Sequence, residues 1–377
     1  MNILVLFTFD ISLKMWSEQG LIDREFKIYR EIQKKEPSIK YTFLTYGNEE
    51  DLKVQSDNNL DEFTIYPIYN YMKKSNSSFI NILKSIIFAY RIKNKFNKEF
   101  TIVKTNQLMG SWVGIILKII SKSGLYVRTG FSPYLFAKYE NKTKFKIFVY
   151  KLLTTLSIKY SDLYSVSSKS EFNALNKLLK IQNKKIVIRS NWVSNQKYIS
   201  LKNRYNNSIL SVGRLEDQKN YLNLIDQLEN SKYELNIVGT GSLEKFLIDY
   251  ANQKKVKLNL IGNLKNNDLL EIYQKYKFYV LPSLYEGNSK SLKEAMAAGC
   301  IPIVNDIESV YEIIKHEENG LILNFKRDSL VDELDILNKE NKVSEILSLK
   351  SYDSAKNFSL EKAAEKELGD YNKILVT

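Results

Sequence analysis

The chain has 377 residues, 44% of them apolar and 12% aromatic, with 56 Lys and Arg against 43 Asp and Glu and a formal charge of +13. That length exceeds what one core usually holds, and the apolar content is ample for two packed cores, which excludes a disordered chain. The one cysteine, Cys300, excludes a disulfide framework, agrees with a reducing compartment and reads as a core filler.

Short apolar runs alternate with helical stretches from end to end. The first, residues 2–9 within MNILVLFTFDIS, reads as a buried strand, and no basic region or small-residue cleavage site marks a signal peptide. Further strands are expected at 41–47, 63–69, 100–105, 124–129, 162–167 and 185–190, then at 208–213, 233–239, 256–261, 278–283, 301–305 and 320–325. Continuous rather than alternating apolar strands separated by helices indicate parallel sheets covered on both faces. Two such series predict an α/β protein of two Rossmann-like domains facing across a cleft, with ligands outside the carboxyl ends of the strands. The polar stretch 190–207, SNWVSNQKYISLKNRYNN, marks the boundary, giving a first domain of residues 1–195 and a second of 196–358. A last helix runs from Ser359 to about Val376. The most apolar helical stretch, SFINILKSIIFAYRIK, is interrupted by Lys84 and Arg91 and falls short of the roughly 18 to 20 residues a membrane crossing needs. A cytoplasmic protein is expected.

Charge is distributed unevenly. Residues 1–200 hold 32 Lys and Arg against 16 Asp and Glu, whereas residues 201–377 hold 24 against 27. Within 71–190 the count is 23 basic to 4 acidic, interleaved with aromatics as in AYRIKNKFNKEF and KYENKTKFKIFVYKLL. Two readings stay open: heavy use of AAA and AAT codons, or basic amphipathic helices lying on an anionic membrane surface, peripheral to the inner face of the cell membrane. Nucleic acid is the rival partner for a basic patch, but no helix-turn-helix, zinc ligand set or RNA-binding aromatic motif is present, so none is expected.

Two blocks of the second domain carry chemistry. Residues 208–220, SILSVGRLEDQKN, read as a strand, a glycine turn, and then Arg214 and Lys219 at the start of a helix. Arg offers a planar fork and Lys a mobile point charge, and one anion can answer both. Residues 286–294, EGNSKSLKE, set two carboxylates eight positions apart, between an apolar run ending in Pro282-Ser283 and a small-residue helix, EAMAAGC. Strand, turn and helix N-terminus make an anion site, because the amides of the first helical turn lack partners and the helix dipole favours negative charge. With Asn288 or Ser289 as N-cap, Glu286 lies in the loop ahead of the helix and Glu294 one turn or more inside it. Taken singly, the first block fits a solvated helix start, and the second fits a loop Glu followed by a surface helix Glu.

Taken together, with the Glu286-Gly287 turn and the passage Ala-Met-Ala-Ala-Gly-Cys-Ile-Pro, the blocks resemble the signature of the family 4 retaining glycosyltransferases of GT-B fold, the glycosyl transferases group 1. The resemblance extends through YELNIVGTGSLEKFL, with its glycine turn at Gly239, and through LNLIGNLKNNDLLEIYQKYKFYVLPS, where the family's Gly-x backbone reads the nucleobase at the positions of Gly262 and Asn263. It implies that Arg214 and Lys219 contact a donor diphosphate. Glu294 would bind the ribose hydroxyls, and Glu286 would lie by the donor sugar. Gly287, Asn288, Ser289, Lys290 and Ser291 would complete the donor site. For glycine after a strand, plain turn chemistry is the commoner use. Asn191 to Ser194 resembles the family's Asn-Gly-Val-Asp turn, with Trp192 and Ser194 replacing two members, and the last helix resembles the tail that crosses back to the first domain.

The first domain departs from the family. Relatives carry a Gly-Gly turn after the first strand, and here Gly20 is the best match, read equally as a turn or as a donor-phosphate or acceptor contact. The histidine frequent after the fourth strand is missing: LYVRTGFSPY puts Arg128, Thr129 and Gly130 there, with Arg128 a candidate donor or acceptor contact. The only histidine, His316, falls where relatives place a surface turn, which leaves no residue for Ser-His-Asp chemistry or a histidine metal cluster. No Asp-x-Asp is present; the closest string is Asp306-Ile307-Glu308. The resemblance therefore implies a metal-independent retaining hexosyltransferase with no cofactor beyond its nucleotide-sugar co-substrate, UDP-linked by family frequency. Its acceptor would be a glycan or a lipid-linked glycan in surface polysaccharide or glycoconjugate assembly. The alternatives are a non-catalytic GT-B partner subunit that binds the acceptor, and a nucleotide-sugar epimerase.

Overall fold

All thirteen runs expected as strands are strands in the computed structural model, which describes residues 1–92, 100–121, 123–179 and 185–376. Parts of the basic stretch, residues 93–99, 122 and 180–184, lie outside the described residues.

In chain order the first unit holds β1 (Asn2–Leu6), α1 (Leu13–Glu18), α2 (Ile22–Lys35), β2 (Lys40–Thr45), α3 (Glu49–Asp57), β3 (Thr64–Pro67), α4 (Ser78–Arg91) and β4 (Ile102–Thr105). It continues with α5 (Ser111–Ile120), β5 (Gly124–Arg128), α6 (Pro133–Tyr139), α7 (Lys144–Tyr160), β6 (Leu163–Val166), α8 (Lys169–Leu179) and β7 (Ile186–Ile188). The second unit begins with β8 (Tyr205–Val212), α9 (Tyr221–Gln227), β9 (Glu234–Val238), α10 (Glu244–Gln253), β10 (Lys257–Gly262) and α11 (Asn266–Tyr273). It ends with β11 (Tyr276–Leu281), α12 (Lys290–Ala297), β12 (Ile301–Asn305), β13 (Leu321–Leu323), α13 (Leu330–Lys339) and α14 (Asn341–Ala355), and α15 (Leu360–Val376) closes the chain.

The seven-stranded sheet has the order β3-β2-β1-β4-β5-β6-β7 and the six-stranded sheet β10-β9-β8-β11-β12-β13, with every pairing parallel. Both strand orders reverse direction once, between β1 and β4 and between β8 and β11, and such switch points open a crevice at the carboxyl ends of the strands. The continuous apolar strands are explained by helices on both faces. In the second sheet Ile209 and Phe278 pack into one core while Leu210 and Tyr279 pack into the other. One face of the first sheet is strongly aromatic, with Phe26 in ring contact with Trp16, Tyr29, Phe43 and Phe63.

The last helix packs with the first unit, as the resemblance implied. Glu367 pairs with Lys104 of β4 and Arg189 Nε donates to Asp370 Oδ2 at 2.6 Å. Gly124 of β5 leaves room for it, since a Cβ there would stand 2.2 Å from Ile374 Cγ2. The units divide at Ser190/Asn191 and Lys362/Ala363, a few residues from the expected 195/196 and 358/359. The reason is local bonding. Asn191 is tied to Asn288 and Val193 N donates to Phe358 O at 2.9 Å, so both connecting segments start with the second unit. Cys300 is fully buried and burial pushes its thiol up to about 12, as befits a core filler. Among the described residues no helix is long and apolar enough to cross a membrane.

Candidate functional site

The switch point of the six-stranded sheet brings the two motif blocks together. Strand β8 ends at Val212 and leads through Gly213 to Arg214; β11 ends at Leu281 and leads through Pro282 and Ser283 to Glu286. Because β8 and β11 are hydrogen-bonded neighbours, loops that are remote in sequence leave the sheet side by side. Lys219 Nζ lies 2.5 Å from Glu286 Oε1, with the two side chains 12% and 11% exposed. Ser283 Oγ donates to the same oxygen at 2.8 Å. The loops are also stitched through their backbones: Leu284 N donates to Gln218 O at 2.9 Å, Gln218 Nε2 to Tyr285 O at 2.9 Å and Asn220 Nδ2 to Pro282 O at 3.1 Å.

Lys219 sits in a short 3₁₀ turn, Asp217–Lys219, that precedes α9, rather than in the helix itself. Asn220 joins the two in the left-handed region at φ 55°, a conformation that asparagine tolerates. Arg214 is set apart from the pair. Its side chain is 60% exposed and its Nη1 lies 3.1 Å from Glu216 Oε2. Such an exposed pair is worth little, so the guanidinium can exchange Glu216 for a stronger anion.

Ser289 caps α12, its Oγ accepting from Leu292 N at 3.4 Å, and so settles the choice between Asn288 and Ser289. Asn288 is buried and faces the other way: its Oδ1 accepts from Asn191 N at 2.9 Å and from Lys293 Nζ at 2.5 Å. Gly287 is buried in the turn ahead of them. Inside the helix, Glu294 is 6% exposed, accepts from Tyr273 OH at 3.4 Å and lies 3.8 Å from Lys290 Nζ. Lys290 stands over the Trp192 ring at 4.8 Å, and Ser291 Oγ accepts from Tyr279 OH at 2.8 Å. The loop carboxylate and the helix carboxylate are thus held by separate partners, which suits two different tasks.

The glycine turns flank the same switch point. Gly239 has φ 143°, its N donates to Gly262 O at 2.9 Å, and a Cβ on it would stand 2.1 Å from Gly213 O. A Cβ on Gly213 would in turn stand 2.7 Å from Lys219 Cε. Close backbone approach at the ends of β8, β9 and β10 therefore makes room for the Lys219 side chain. Gly262 closes β10 at φ 76° with nothing within 4 Å of a Cβ, and Asn263 Nδ2 donates to Thr240 Oγ1 at 3.1 Å.

Gly20 and Arg128 belong to the first unit. Gly20, at φ 66°, ends α1: its N donates to Ser17 O at 3.0 Å and Leu21 N to Trp16 O at 2.8 Å, the two bonds of a Schellman motif. Helix termination accounts for this glycine, one of the two readings its sequence context left open. Arg128 ends β5. Burial alone would lower its pKa, but the nearby carboxylates of Glu367 and Glu25 outweigh burial and raise it. Beside it, Thr129 Oγ1 donates to Ser165 O at 2.8 Å and stands 3.4 Å from Glu171 Oε1. Glu171 accepts from Ser167 N and Ser167 Oγ, both at 2.8 Å, yet burial pushes its carboxyl up to about 7. His316 lies in a turn, its Nδ1 accepting from Ile322 N at 3.0 Å.

Sequence reasoning missed Ser283 and Lys293. Ser283 was read as the end of a strand, and no spacing links it to Glu286 beyond its position three residues earlier. Lys293 is fully buried on α12, and a lysine in a helix that otherwise turns Leu292, Ala295 and Met296 inward was the available signal.

Two parallel-sheet Rossmann-like units, with the final helix returned to the first, define a GT-B protein. The solved structure of Anabaena HepE in complex with UDP and glucose shares this fold, with a TM-score of 0.70 at 14% identity over 97% of this chain and 98% of that one. Residues 193–353 match the family model of the glycosyl transferases group 1. It is 37% identical over 119 residues, 30% of each chain, to an uncharacterized glycosyltransferase of Methanocaldococcus jannaschii. It is 27% identical over 316 residues, 77% of this chain and 79% of the relative, to the UDP-Gal:alpha-D-GlcNAc-diphosphoundecaprenol alpha-1,3-galactosyltransferase of Escherichia coli. Three of the curated relatives are matched over 30%, 58% and 64% of their own lengths, less than two thirds of each.

Proposed function

We propose that the protein transfers a sugar from a nucleotide-diphosphate sugar, a UDP-sugar by preference, to a lipid-linked glycan acceptor in surface polysaccharide assembly. The observation that carries this reading is the Lys219–Glu286 pair at the β8/β11 switch point, beside the Ser289-capped start of α12. The names of relatives support it: the Escherichia coli protein acts on a diphosphoundecaprenol-linked sugar, and the HepE structure holds UDP and glucose.

The chemistry follows from charge. As the glycosidic bond breaks toward an oxocarbenium-like state, the leaving diphosphate gathers negative charge that must be neutralised where it forms. In this proposal Lys219 turns from Glu286 to the diphosphate, Arg214 leaves Glu216 to join it, and the first amides of α12 supply fixed dipoles. Glu286, still held by Ser283, then faces the sugar, holding its hydroxyls and answering its positive charge. Glu294 binds the ribose. No metal or further cofactor takes part, the anomeric configuration is retained, and the enzyme meets its lipid-linked acceptor at the inner face of the membrane.

The test uses labelled UDP-hexoses with and without a polyprenyl-diphosphate-linked acceptor. Transfer to the acceptor, abolished in Glu286→Gln with the folded circular-dichroism spectrum preserved, is the expected result. Conversion of the donor without any acceptor indicates an epimerase, and donor binding without transfer indicates a non-catalytic partner subunit; either outcome ends the transferase reading.

A further inference from the structure

Two helices of the first unit leave rows of large apolar side chains exposed. α4 and α7 flank α5: Trp112 Nε1 of α5 donates to Ser85 Oγ of α4 at 2.9 Å, and Ser111 Oγ of α5 lies 2.9 Å from Ser157 Oγ of α7. The three helices are thus joined by polar contacts, beside the core packing of the buried Phe88, Ala89 and Ile158. Asn81 and Ser85 are buried on α4, as are Thr154 and Ser157 on α7.

The outward faces are apolar. On α4, Phe79, Ile80, Leu83, Ile87 and Tyr90 are exposed, with Phe79 at 68% and Tyr90 at 57%. At 100° per residue they fall within one stripe. On α7, Phe145 and Phe148 are 75% and 61% exposed, with Val149 and Leu152 completing a second stripe. Single exposed apolar residues are ordinary, but a stripe of aromatic and branched side chains on each of two helices that pack against α5 marks an interaction surface.

Charge identifies the partner. α4 carries Lys84 and Arg91, α7 carries Lys144, Lys146, Lys151 and Lys159, and neither helix holds an Asp or Glu. A second copy of this chain would bring like charge against like charge. Aromatic and aliphatic side chains flanked only by cations suit a surface that is negative outside and hydrocarbon beneath. The helices have 14 and 17 residues, about 21 and 25 Å by helical rise, and lie on the unit rather than crossing anything. We propose that the outer face of α4 and α7 docks the protein on an anionic lipid bilayer. This deepens the lipid-linked acceptor reading and rests on it for the choice of a bilayer over other anionic surfaces.

Flotation of the full chain with vesicles tests it. At low salt the protein should float with phosphatidylglycerol and phosphatidylethanolamine vesicles roughly tenfold more than with phosphatidylcholine vesicles, and less as salt rises. Phe79→Ser, Leu83→Ser, Phe145→Ser and Phe148→Ser combined should abolish flotation. Lys144→Gln, Lys146→Gln and Lys151→Gln combined should weaken it roughly tenfold or more, and this second variant keeps the apolar face intact if the first misfolds. Both variants should retain the wild-type thermal shift with UDP, a measurement of the second unit that separates failure of docking from failure of donor binding. Absence of wild-type flotation, or undiminished flotation of the lysine variant, overturns the proposal. So does a wild-type dimer in light scattering that the serine variant dissociates.

Discussion

The ammonium of Lys219 stands 2.5 Å from Oε1 of Glu286, a residue 67 positions further along the chain. Neighbouring strands whose loops leave the sheet at the switch point bring them together, and each side chain is mostly buried. A cation and a carboxylate so placed neutralise one another until a stronger anion arrives. Removing either one leaves its partner desolvated and uncompensated.

Lys219→Met should therefore lower stability by up to about 3 kcal/mol and reduce transfer by about 10² to 10³. The double variant Lys219→Met with Glu286→Gln should recover most of that stability and none of the transfer. Urea denaturation and initial rates on the four proteins of the cycle measure both. A loss in the double variant equal to the sum of the two single losses would show that the ion pair carries no coupling.

Glu294→Gln addresses the helix carboxylate. If it binds ribose hydroxyls in ground and transition states alike, the donor KM rises roughly tenfold and kcat changes little. A fall in kcat at unchanged KM would assign Glu294 to the reacting sugar instead.

Two glycines predict unequal costs. Gly239→Ala drives a Cβ to within 2.1 Å of Gly213 O at φ 143°, so the ends of β8 and β9 must part. A loss of about 3 kcal/mol is expected, with weaker donor binding because Gly213 lies against Lys219. Gly262→Ala, at φ 76° with open space around it, should cost only about 1 kcal/mol. Equal urea midpoints for the two variants would contradict the crowding seen at Gly239.

Glu171 predicts a pH dependence. Burial raises its carboxyl from 4.5 to about 7 in the folded chain. A folded pKa above the unfolded one means that the proton is held more tightly when folded. The stabilisation is full below about 4.5 and is lost as pH rises toward 7. The loss amounts to about 3 kcal/mol. Glu171→Gln, which keeps the shape and stays neutral, should flatten that part of the stability curve relative to wild type. Parallel curves for wild type and variant between pH 4.5 and 7 would remove Glu171 as the cause.

Much of the fold was legible because burial on both faces of a parallel sheet writes strands as unbroken apolar runs, such as Phe278 to Leu281. The strand, turn and capped helix of the second motif block were legible because they are local. What was not legible depends on which strands are neighbours. Lys219 and Glu286 meet only because β8 pairs with β11, and periodicity does not report sheet order. Gly20 shows the same limit on a smaller scale, since a helix-ending Schellman turn and a ligand turn both require glycine. The apolar stretch from Phe79 to Tyr90 was recognisable as a helix, but which face it turns outward follows from Ser85, Phe88 and Ala89 being buried, with Ser85 bonded to Trp112 of α5. The unit boundaries moved by a few residues because Asn191 and Val193 bond to Asn288 and Phe358, contacts remote in sequence.

The account rests on a diphosphate being gripped by Lys219, Arg214 and the start of α12. Calorimetric titration of UDP into the wild type and Lys219→Met measures that grip directly. Saturable binding by the wild type, with a thermal shift equivalent to about 2.7 kcal/mol at 100 times its dissociation constant, and at least tenfold weaker binding by the variant is the predicted result. Identical UDP affinities for the two proteins, or no binding of any nucleoside diphosphate by the wild type, would contradict it.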